Sequence, residues 1–202
     1  MTAQRRIGSA DAKNRQVLLD AAEQLLVAEG YAAVTSRRVA AQAGLKPQLV
    51  HYYFRTMDEL FLELFRRRAE EGLRHQAELL ASDRPLQALW EFSIEPHGTA
   101  LTMEFTSLAN HRKAIRAEIG RYAEKFREVQ IEVLAGVLDR AGIPPEVCTP
   151  AALSVFVTSL GRVVVMERAL GMSSGHDEAI LILERFIHDL EDKAASARDQ
   201  SA

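Results

Sequence analysis

The chain has 202 residues, of which 48% are hydrophobic and 26% charged, and its formal net charge is −3 at pH 7. This composition excludes a disordered or fibrous protein, and the length allows one large domain or a small domain followed by a medium-sized one. Cys148 is the only cysteine, so an internal disulfide is excluded. We find no run of about 18 uncharged apolar residues and no apolar stretch after the polar N-terminus, and therefore expect a cytoplasmic protein without membrane contact.

The charge is distributed unevenly along the chain. Residues 1–56 contain eight basic and four acidic side chains, against 17 basic and 24 acidic in the remainder, so a segment of net charge +4 precedes one of −7. This asymmetry suits a small module that approaches phosphates, joined to a larger body that does not.

The first predicted helix follows a short N-terminal arm. Residues 1–12 lack helical periodicity and are expected to be flexible. From Asn14 to Glu29, apolar side chains recur at helical spacing, and Gly30 ends the helix.

Two short helices are predicted between Thr35 and Phe54. A hydroxyl at Thr35 or Ser36 can cap the first helix by accepting a hydrogen bond from its first turn. Gly44 lies where the chain must turn, because glycine adopts positive φ without steric cost, and Pro47 suits the first turn of the second helix. This order is typical of a DNA-reading helix-turn-helix.

The second of these helices has two faces. Val50 and Phe54 are predicted to point inward. The opposite face carries groups that read bases or bind phosphates: Lys46, Gln48, His51, Tyr52 and Arg55. The alternative is an ordinary amphipathic helix pair, but its solvated face would more often be rich in glutamate and lysine.

The rest of the chain is also predicted to be helical. No segment alternates as a strand does, so we expect an all-α protein with about nine helices. Pro96-His-Gly98 is expected to interrupt the helices. The predicted division is an arm (1–12), a three-helix DNA-binding domain (13–57), a helical effector-binding and dimerisation domain (58–195) and a flexible tail (196–202), with the later helices over 58–81, 86–94, 99–110, 112–141, 151–170 and 177–195.

The last two helices are apolar on more than one face, so they form the middle of the body or meet a second subunit. Because one short helix-turn-helix contacts few base pairs, a symmetric homodimer that reads a pseudo-palindromic operator in double-stranded DNA is the coherent arrangement. The predicted dimer interface consists of Leu153, Phe156, Val157, Leu160, Val164, Ile180, Leu183, Phe186, Ile187 and Leu190.

The chain resembles the TetR family of bacterial transcriptional regulators. The resemblance runs from about Val17 to Leu60 and depends on four elements: Thr35-Ser36-Arg37, Ala43-Gly44, Tyr52-Tyr53-Phe54 and Asp58-Glu59-Leu60. It implies an N-terminal helix-turn-helix and a C-terminal domain that binds a small molecule, whose binding releases the operator. An activator, or a DNA-binding regulator without an effector, remains the alternative.

The resemblance also assigns DNA-contacting positions. It implies a phosphate contact for Ser36, a guanine contact for Arg37, base-facing positions for Pro47, Gln48 and Leu49, and backbone or thymine-methyl contacts for His51, Tyr52 and Tyr53. The capping residue Thr35 completes the set. The chain departs from the family at Lys46, His51 and Met57; Lys46 adds a phosphate or base contact, and Lys46 or Arg55 takes over the phosphate contact that a lysine makes in many members at the position of Met57.

The effector is expected to be largely apolar, and its site is predicted among apolar and polar side chains of the second domain. These residues are Trp90, Phe92, Met103, Glu104, Phe105, Leu108, His111, Tyr122, Phe126, Gln130, Phe156 and Arg162. No cofactor, metal or catalytic residue is expected. An enzyme is disfavoured because the histidines are scattered, and Glu184 with His188, one helical turn apart, is more typical of a surface ion pair than of a metal site.

Overall fold

The computed structural model describes residues 3–199, and the side chains of residues 11–197. Within this range the chain contains nine α-helices and no strand, which confirms the predicted fold class. The helices are α1 (Ala3–Glu29), α2 (Ser36–Gln42), α3 (Pro47–Tyr53), α4 (Met57–Leu80), α5 (Pro85–Ser93), α6 (Pro96–Ala109), α7 (Lys113–Arg140), α8 (Pro150–Ala169) and α9 (His176–Asp199). A 3-10 turn, Tyr31–Ala33, separates α1 from α2.

Helices α1 and α9 extend beyond their predicted ends. The expected arm over 1–12 is corrected for residues 3–12, which belong to α1. They contain no proline and include three alanines, so they prolong a helix that the apolar stripe after Asn14 has already nucleated. Helix α9 continues to Asp199, and residues 1–2 and 200–202 lie outside the described residues.

The segment Pro96-His-Gly98 was predicted to interrupt the helices, but it forms the first turn of α6. The interruption lies just before it, between the end of α5 at Ser93 and Pro96. The Glu95 carboxylate accepts hydrogen bonds from the backbone N–H groups of His97, at 2.9 Å, and Gly98, at 2.5 Å. Proline is well tolerated in the first turn of a helix, where its missing N–H has no intrahelical partner. The capping carboxylate and the proline therefore start the helix.

Two compact units form the structure, and their boundaries fall inside α4, α6 and α7. The N-terminal unit comprises the chain up to Glu70 together with Ala100–Gly120, which is more than the predicted domain 13–57. Its core joins apolar residues of α1 to α4 with residues of α6 and α7: Leu18, Leu19, Ala22, Leu26, Val39, Val50, Phe54, Leu60, Phe61, Leu64, Phe105, Leu108 and Ile115. A module of about 45 residues buries only a small core by itself, and the contacts with α6 and α7 enlarge that core.

The C-terminal unit comprises Glu71–Thr99 and the chain from Arg121 onward. Its core combines α5, α7, α8 and α9 through Leu86, Leu89, Trp90, Leu134, Val137, Leu153, Val157, Ile187 and Leu190. Helices α5 and α8 approach closely at Gly161, where an added Cβ would lie 2.7 Å from the Ser93 carbonyl oxygen. Only glycine fits this crossing without movement of α5.

By length and composition, α8 could cross a membrane, a property that the sequence analysis did not identify. Leu153, Val157 and Val164 of α8 are buried in the protein, so packing accounts for part of its apolar content. One such helix is weak evidence for a span, because core helices meet the same criteria.

Replacing Gly161 with alanine should lower the free energy of unfolding by about 1–3 kcal/mol, since the new methyl group overlaps Ser93. The matched control is Gly120→Ala in α7, where an added Cβ meets nothing within 4 Å. This change should raise stability by about 0.5–1 kcal/mol, because alanine is the better helix former. Urea unfolding measures the free energy of unfolding of both variants. An equal change in the two variants would contradict the described contact between α5 and α8.

Candidate nucleic-acid interface

Helix α2 begins at a side-chain cap, as predicted. Thr35 has extended backbone angles, and its hydroxyl oxygen accepts a hydrogen bond from the backbone N–H of Arg38 at 3.4 Å. Val39 and Ala40 are fully buried. The cap and this apolar face fix the start and the rotation of α2 in the N-terminal unit.

The turn between α2 and α3 is also confirmed. Gly44 has φ of 65°, a left-handed conformation that strains any residue with a Cβ. The backbone N–H of Leu45 then donates to the carbonyl of Ala40 at 2.9 Å, which closes the turn. Lys46 caps α3 with its extended backbone, and Pro47 occupies the first turn.

The faces of α3 are those expected from its sequence. Val50 and Phe54 are 1% exposed, whereas Tyr52 is 69% exposed. The exposed residues of the predicted DNA-contacting set are Thr35, Arg37, Lys46, Pro47, Gln48, His51, Tyr52 and Arg55, and the half-buried ones are Ser36, Leu49 and Tyr53. Because α2 and α3 present these side chains together, the geometry is suitable for entering a DNA groove.

Tyr53 is held by the protein more firmly than its neighbour Tyr52. Its hydroxyl donates to the Asp11 carboxylate at 2.9 Å, and its ring meets that of Tyr52 edge to face, with centroids 4.9 Å apart. Burial raises the pKa of Tyr53, and the hydrogen bond to Asp11 raises it further. Tyr53 therefore connects α1 to α3, while Tyr52 extends into solvent.

Three cations, on α2, directly before α3 and directly after α3, have no partner among the described residues. The side chains of Arg37, Lys46 and Arg55 form no hydrogen bond or ion pair within that range. Arg38, beside Arg37, instead forms a two-point ion pair with Glu29, and this pairing raises the pKa of Arg38 and lowers that of Glu29. The three unpaired cations are thus available to an external anion.

Other cations of the same unit are paired with carboxylates. Arg67 contacts Asp20 at 2.6 Å and Glu23 at 3.1 Å, and Arg15 contacts Glu63 at 2.5 Å. These pairs join α1 to α4. The positive charge of the segment is consequently divided between structural pairs and the exposed cations of the helix-turn-helix.

A variant of the capping box after α3, in which the glutamate accepts from the residue before the cap, was not recognised in the sequence. The Thr56 hydroxyl accepts from the Glu59 backbone N–H at 3.1 Å, and the Glu59 carboxylate accepts from the Arg55 backbone N–H at 2.9 Å. The spacing Thr-x-x-Glu is the available sequence signal. The box fixes where α4 begins and how the chain leaves α3.

Five predicted effector residues lie in the N-terminal unit. Phe105 and Leu108 are buried in its core, Met103 is 38% exposed, and His111 is exposed beyond the end of α6. The Glu104 carboxylate accepts from the backbone N–H of Tyr31 at 3.0 Å, so it supports the turn before α2. In the structure these five residues occupy core, surface or structural positions, and their contact with an effector stays a prediction. Apolar and polar spacing along α6 does not reveal which element each face meets.

The other predicted effector residues lie in the C-terminal unit. Trp90 and Tyr122 are buried; the Trp90 indole N–H donates to Glu184 at 3.3 Å, and Phe92 stacks with Phe126 at 6.3 Å. Phe156 is 74% exposed and Arg162 is also exposed. Gln130 is buried in a hydrogen-bonded network that the sequence analysis did not identify.

This polar network joins three helices of the C-terminal unit, α4, α7 and α8, through Gln76, Arg127, Gln130, Ser154 and Thr158. Gln130 donates to Gln76 at 2.6 Å and accepts from the Ser154 hydroxyl at 2.5 Å. Arg127 donates to the hydroxyls of Ser154 and Thr158. Burial lowers the pKa of Arg127, and nearby Arg162 lowers it further. Apolar periodicity cannot reveal such a network, because its members interrupt the apolar stripes.

The predicted dimer interface contains two kinds of residue. Val157, Val164 and Ile187 are 0% exposed, and Leu153 and Leu190 are 2% and 4% exposed. These five are corrected from interface to core. Leu160, Ile180 and Leu183 are partly buried against that core, and Phe156 and Phe186 are 74% and 45% exposed. A helix that is apolar all round does not show in its sequence which stripe faces inward.

Several large apolar side chains are exposed on α8 and α9. In addition to Phe156 and Phe186, Val155 and Val163 on α8 are 47% and 41% exposed, and Leu181 and Ile182 on α9 are 47% and 70% exposed. We call these six residues the apolar surface.

The described residues contain no group of three metal-ligating side chains, and Glu184 and His188 have separate partners, Trp90 and Asp192.

Residues 18–64 match the family described as bacterial regulatory proteins, tetR family. The HTH-type transcriptional regulator PksA of Bacillus subtilis (strain 168) is 28% identical over 110 residues, which are 50% of this chain and 54% of PksA. The chain thus spans about half the length of this curated relative.

Solved structures resemble nearly the whole chain in fold. A TetR-family transcriptional regulator from Rhodococcus sp. has a TM-score of 0.67 at 16% identity, over 93% of this chain and 97% of that one. A regulator from Saccharomonospora viridis in complex with choline has a TM-score of 0.72 at 17% identity, over 88% and 96%. FadR from Bacillus subtilis, in complex with stearoyl-CoA, has a TM-score of 0.61 at 14% identity, over 90% and 94%.

Replacing Thr56 with alanine should lower the free energy of unfolding by about 1 kcal/mol, because the first turn of α4 loses its cap. Thr106→Ala is the control, since the exposed Thr106 hydroxyl only donates back to a carbonyl of its own helix. The control should change stability by less than about 0.5 kcal/mol. Denaturant midpoints measure both, and an unchanged midpoint for Thr56→Ala would show that the capping box does not stabilise this turn.

Proposed function

Since this chain belongs to the TetR family of bacterial regulatory proteins, we propose that it is a dimeric, sequence-specific DNA-binding transcriptional regulator, a repressor that a small-molecule effector releases from its operator. The observation that carries the DNA-binding part is the set of exposed, unpaired cations on the helix-turn-helix: Arg37, Lys46 and Arg55. The family is one of DNA-binding regulators and not of enzymes, so the proposal includes no catalytic site. It also includes a cytoplasmic location, where the chain would meet DNA.

Electrostatics supports this assignment. A cation that pairs with DNA phosphate releases condensed counterions, and this release drives binding. Arg38 is already neutralised by Glu29, whereas Arg37 has no such partner. Arg37 is therefore assigned to the DNA, and Arg38 to the contact between α1 and α2.

Dimerisation follows from the proposed reading of two half-sites. One α3 presents few base-reading side chains, so useful specificity requires a second copy related by a two-fold axis. The apolar surface on α8 and α9 supplies a candidate contact, because large exposed apolar patches mark interaction sites. The proposed interface keeps Phe156 and Phe186 from the sequence prediction and adds Val155, Val163, Leu181 and Ile182.

An effector would act by shifting a conformational equilibrium. It must bind more tightly to the conformation in which the two copies of α3 no longer match their half-sites, since equal affinity for both conformations shifts nothing. Similar folds bind choline in one regulator and stearoyl-CoA in another. For this chain we place the effector site in the C-terminal unit, near Phe92, Phe126 and Gln130.

Arg37→Ala should reduce the discrimination between a selected operator and random DNA by about 1–3 kcal/mol if Arg37 reads a base. Lys46→Ala should weaken binding to both DNAs equally and reduce the salt dependence by about one phosphate contact, if Lys46 binds the backbone. Fluorescence anisotropy at several salt concentrations separates these outcomes.

The control is Arg38→Ala, which removes the same charge from a side chain already paired with Glu29. It should cost less affinity than either other variant. If Arg37→Ala loses the same affinity for the operator as for random DNA, Arg37 is a phosphate contact. If it loses no affinity, Arg37 does not belong to the interface.

Phe156→Glu and Ile182→Glu should each convert dimers into monomers, because a carboxylate in an apolar interface would be desolvated. Operator affinity should fall with the dimer. Val147→Glu is the control, since Val147 is 72% exposed and lies between α7 and α8. Sedimentation velocity measures the three variants; dimers that persist in both test variants would refute this interface.

A further inference from the structure

Arg127 is a cross-helix arginine whose partners are all neutral. It is partly buried on α7, and within the described part of the chain it donates to the hydroxyls of Ser154 and Thr158, both from Nη1, at up to 3.5 Å. Arg84 in the same unit shows the more usual arrangement, because it forms ion pairs with the carboxylates of Glu191 at 3.0 Å and Asp192 at 3.1 Å. A desolvated guanidinium normally pairs with a carboxylate, so Arg127 lacks the partner that its environment favours.

A second cation lies near Arg127. Arg162 of α8 is close enough to lower the pKa of Arg127, in the same direction as burial, while Glu124 opposes both. Glu124 is exposed and forms no ion pair with Arg127. Like charges repel each other, and a bound anion would weaken this repulsion.

The surrounding network determines whether Arg127 can bind a negatively or a positively charged ligand. Ser154 accepts from Arg127 and donates to Gln130, and Gln130 in turn donates to Gln76. Gln76 donates to the carbonyl of Phe126 at 3.2 Å. These acceptors are occupied within the protein, whereas Nε and Nη2 of Arg127 remain available as donors. The network can therefore bind an acceptor, and its charge excludes a cation.

Aromatic side chains adjoin the network at Phe126, whose carbonyl oxygen accepts the hydrogen bond from Gln76. Phe126 precedes Arg127 on α7 and stacks with Phe92, and the Phe92 ring lies 6.0 Å from that of His75. An aromatic cluster joined to a guanidinium through a polar network favours a ligand with an apolar body and an anionic end.

We propose that Arg127, assisted by Arg162, binds the oxyanion of an amphipathic ligand, a carboxylate or a phosphate, whose apolar part packs near Phe92 and Phe126. The anion site itself does not require DNA binding. Its identification as the effector site rests on the proposed function.

The test uses three ligands with one apolar body: 4-phenylbutyrate, 4-phenylbutanol and 4-phenylbutylamine. Calorimetry on the full chain without DNA should give the carboxylate at least about tenfold tighter binding than the alcohol, and the amine the weakest binding. 4-Phenylbutyl phosphate, measured in parallel, separates the two anion sources: tighter binding than 4-phenylbutyrate assigns the site to phosphates, and weaker binding assigns it to carboxylates.

Arg127→Gln should reduce the affinity for 4-phenylbutyrate to that of the alcohol. Arg121→Gln on the same helix, exposed and placed over the Tyr122 ring, should leave it unchanged. If Arg127→Gln does not fold, Arg127→Lys keeps the charge but loses the planar two-point geometry, and should bind the carboxylate with intermediate affinity.

Equal affinities of the wild-type chain for the carboxylate, the phosphate and the alcohol would overturn the proposal, as would equal losses in Arg127→Gln and Arg121→Gln. Operator release is measured separately on the wild-type chain. An anion that binds through Arg127 but does not release DNA would leave the anion site intact and refute only the effector mechanism.

Discussion

The burial of Val39, Val50 and Phe54 beneath the helix-turn-helix is the constraint on which the rest of the structure depends. Helices α2 and α3 have seven residues each, well below the length at which an isolated helix is stable in water. Their geometry must come from tertiary packing. The shared core with α1, α4, α6 and α7 supplies it, and thereby fixes the direction in which the outer face of α3 points.

Pairing of charges complements this packing. Arg15 and Arg67 connect α1 to α4 through carboxylates, and Arg38 connects α2 to α1. Surface pairs of this kind contribute little stability individually, but they determine which cations are already neutralised. The positive charge left for an external partner is carried by Arg37, Lys46 and Arg55, which are exposed on the helix-turn-helix.

The sequence predicts this region well because its signals are local. Thr35, Gly44 and Pro47 act through backbone rules that need no knowledge of the rest of the chain. The failures have non-local causes. Glu104 was assigned to a ligand site because its partner, the backbone N–H of Tyr31, lies 73 residues away in the chain. Leu153 and Phe156 were assigned to one interface, although α8 turns one into the core and the other into solvent. Arg127 was missed because its significance depends on neighbours from other helices.

Selection of bound sequences from a random DNA library, followed by footprinting of the full chain on the enriched sequence, tests the central claim most directly. Our account predicts enrichment of a pseudo-palindrome with two protected half-sites about one helical turn, roughly 34 Å, or a multiple of it apart. It also predicts that enrichment weakens as salt rises, since phosphate contacts contribute to affinity. Failure of the wild-type chain to enrich any sequence over random DNA, or enrichment of a single unsymmetrical half-site, would contradict it.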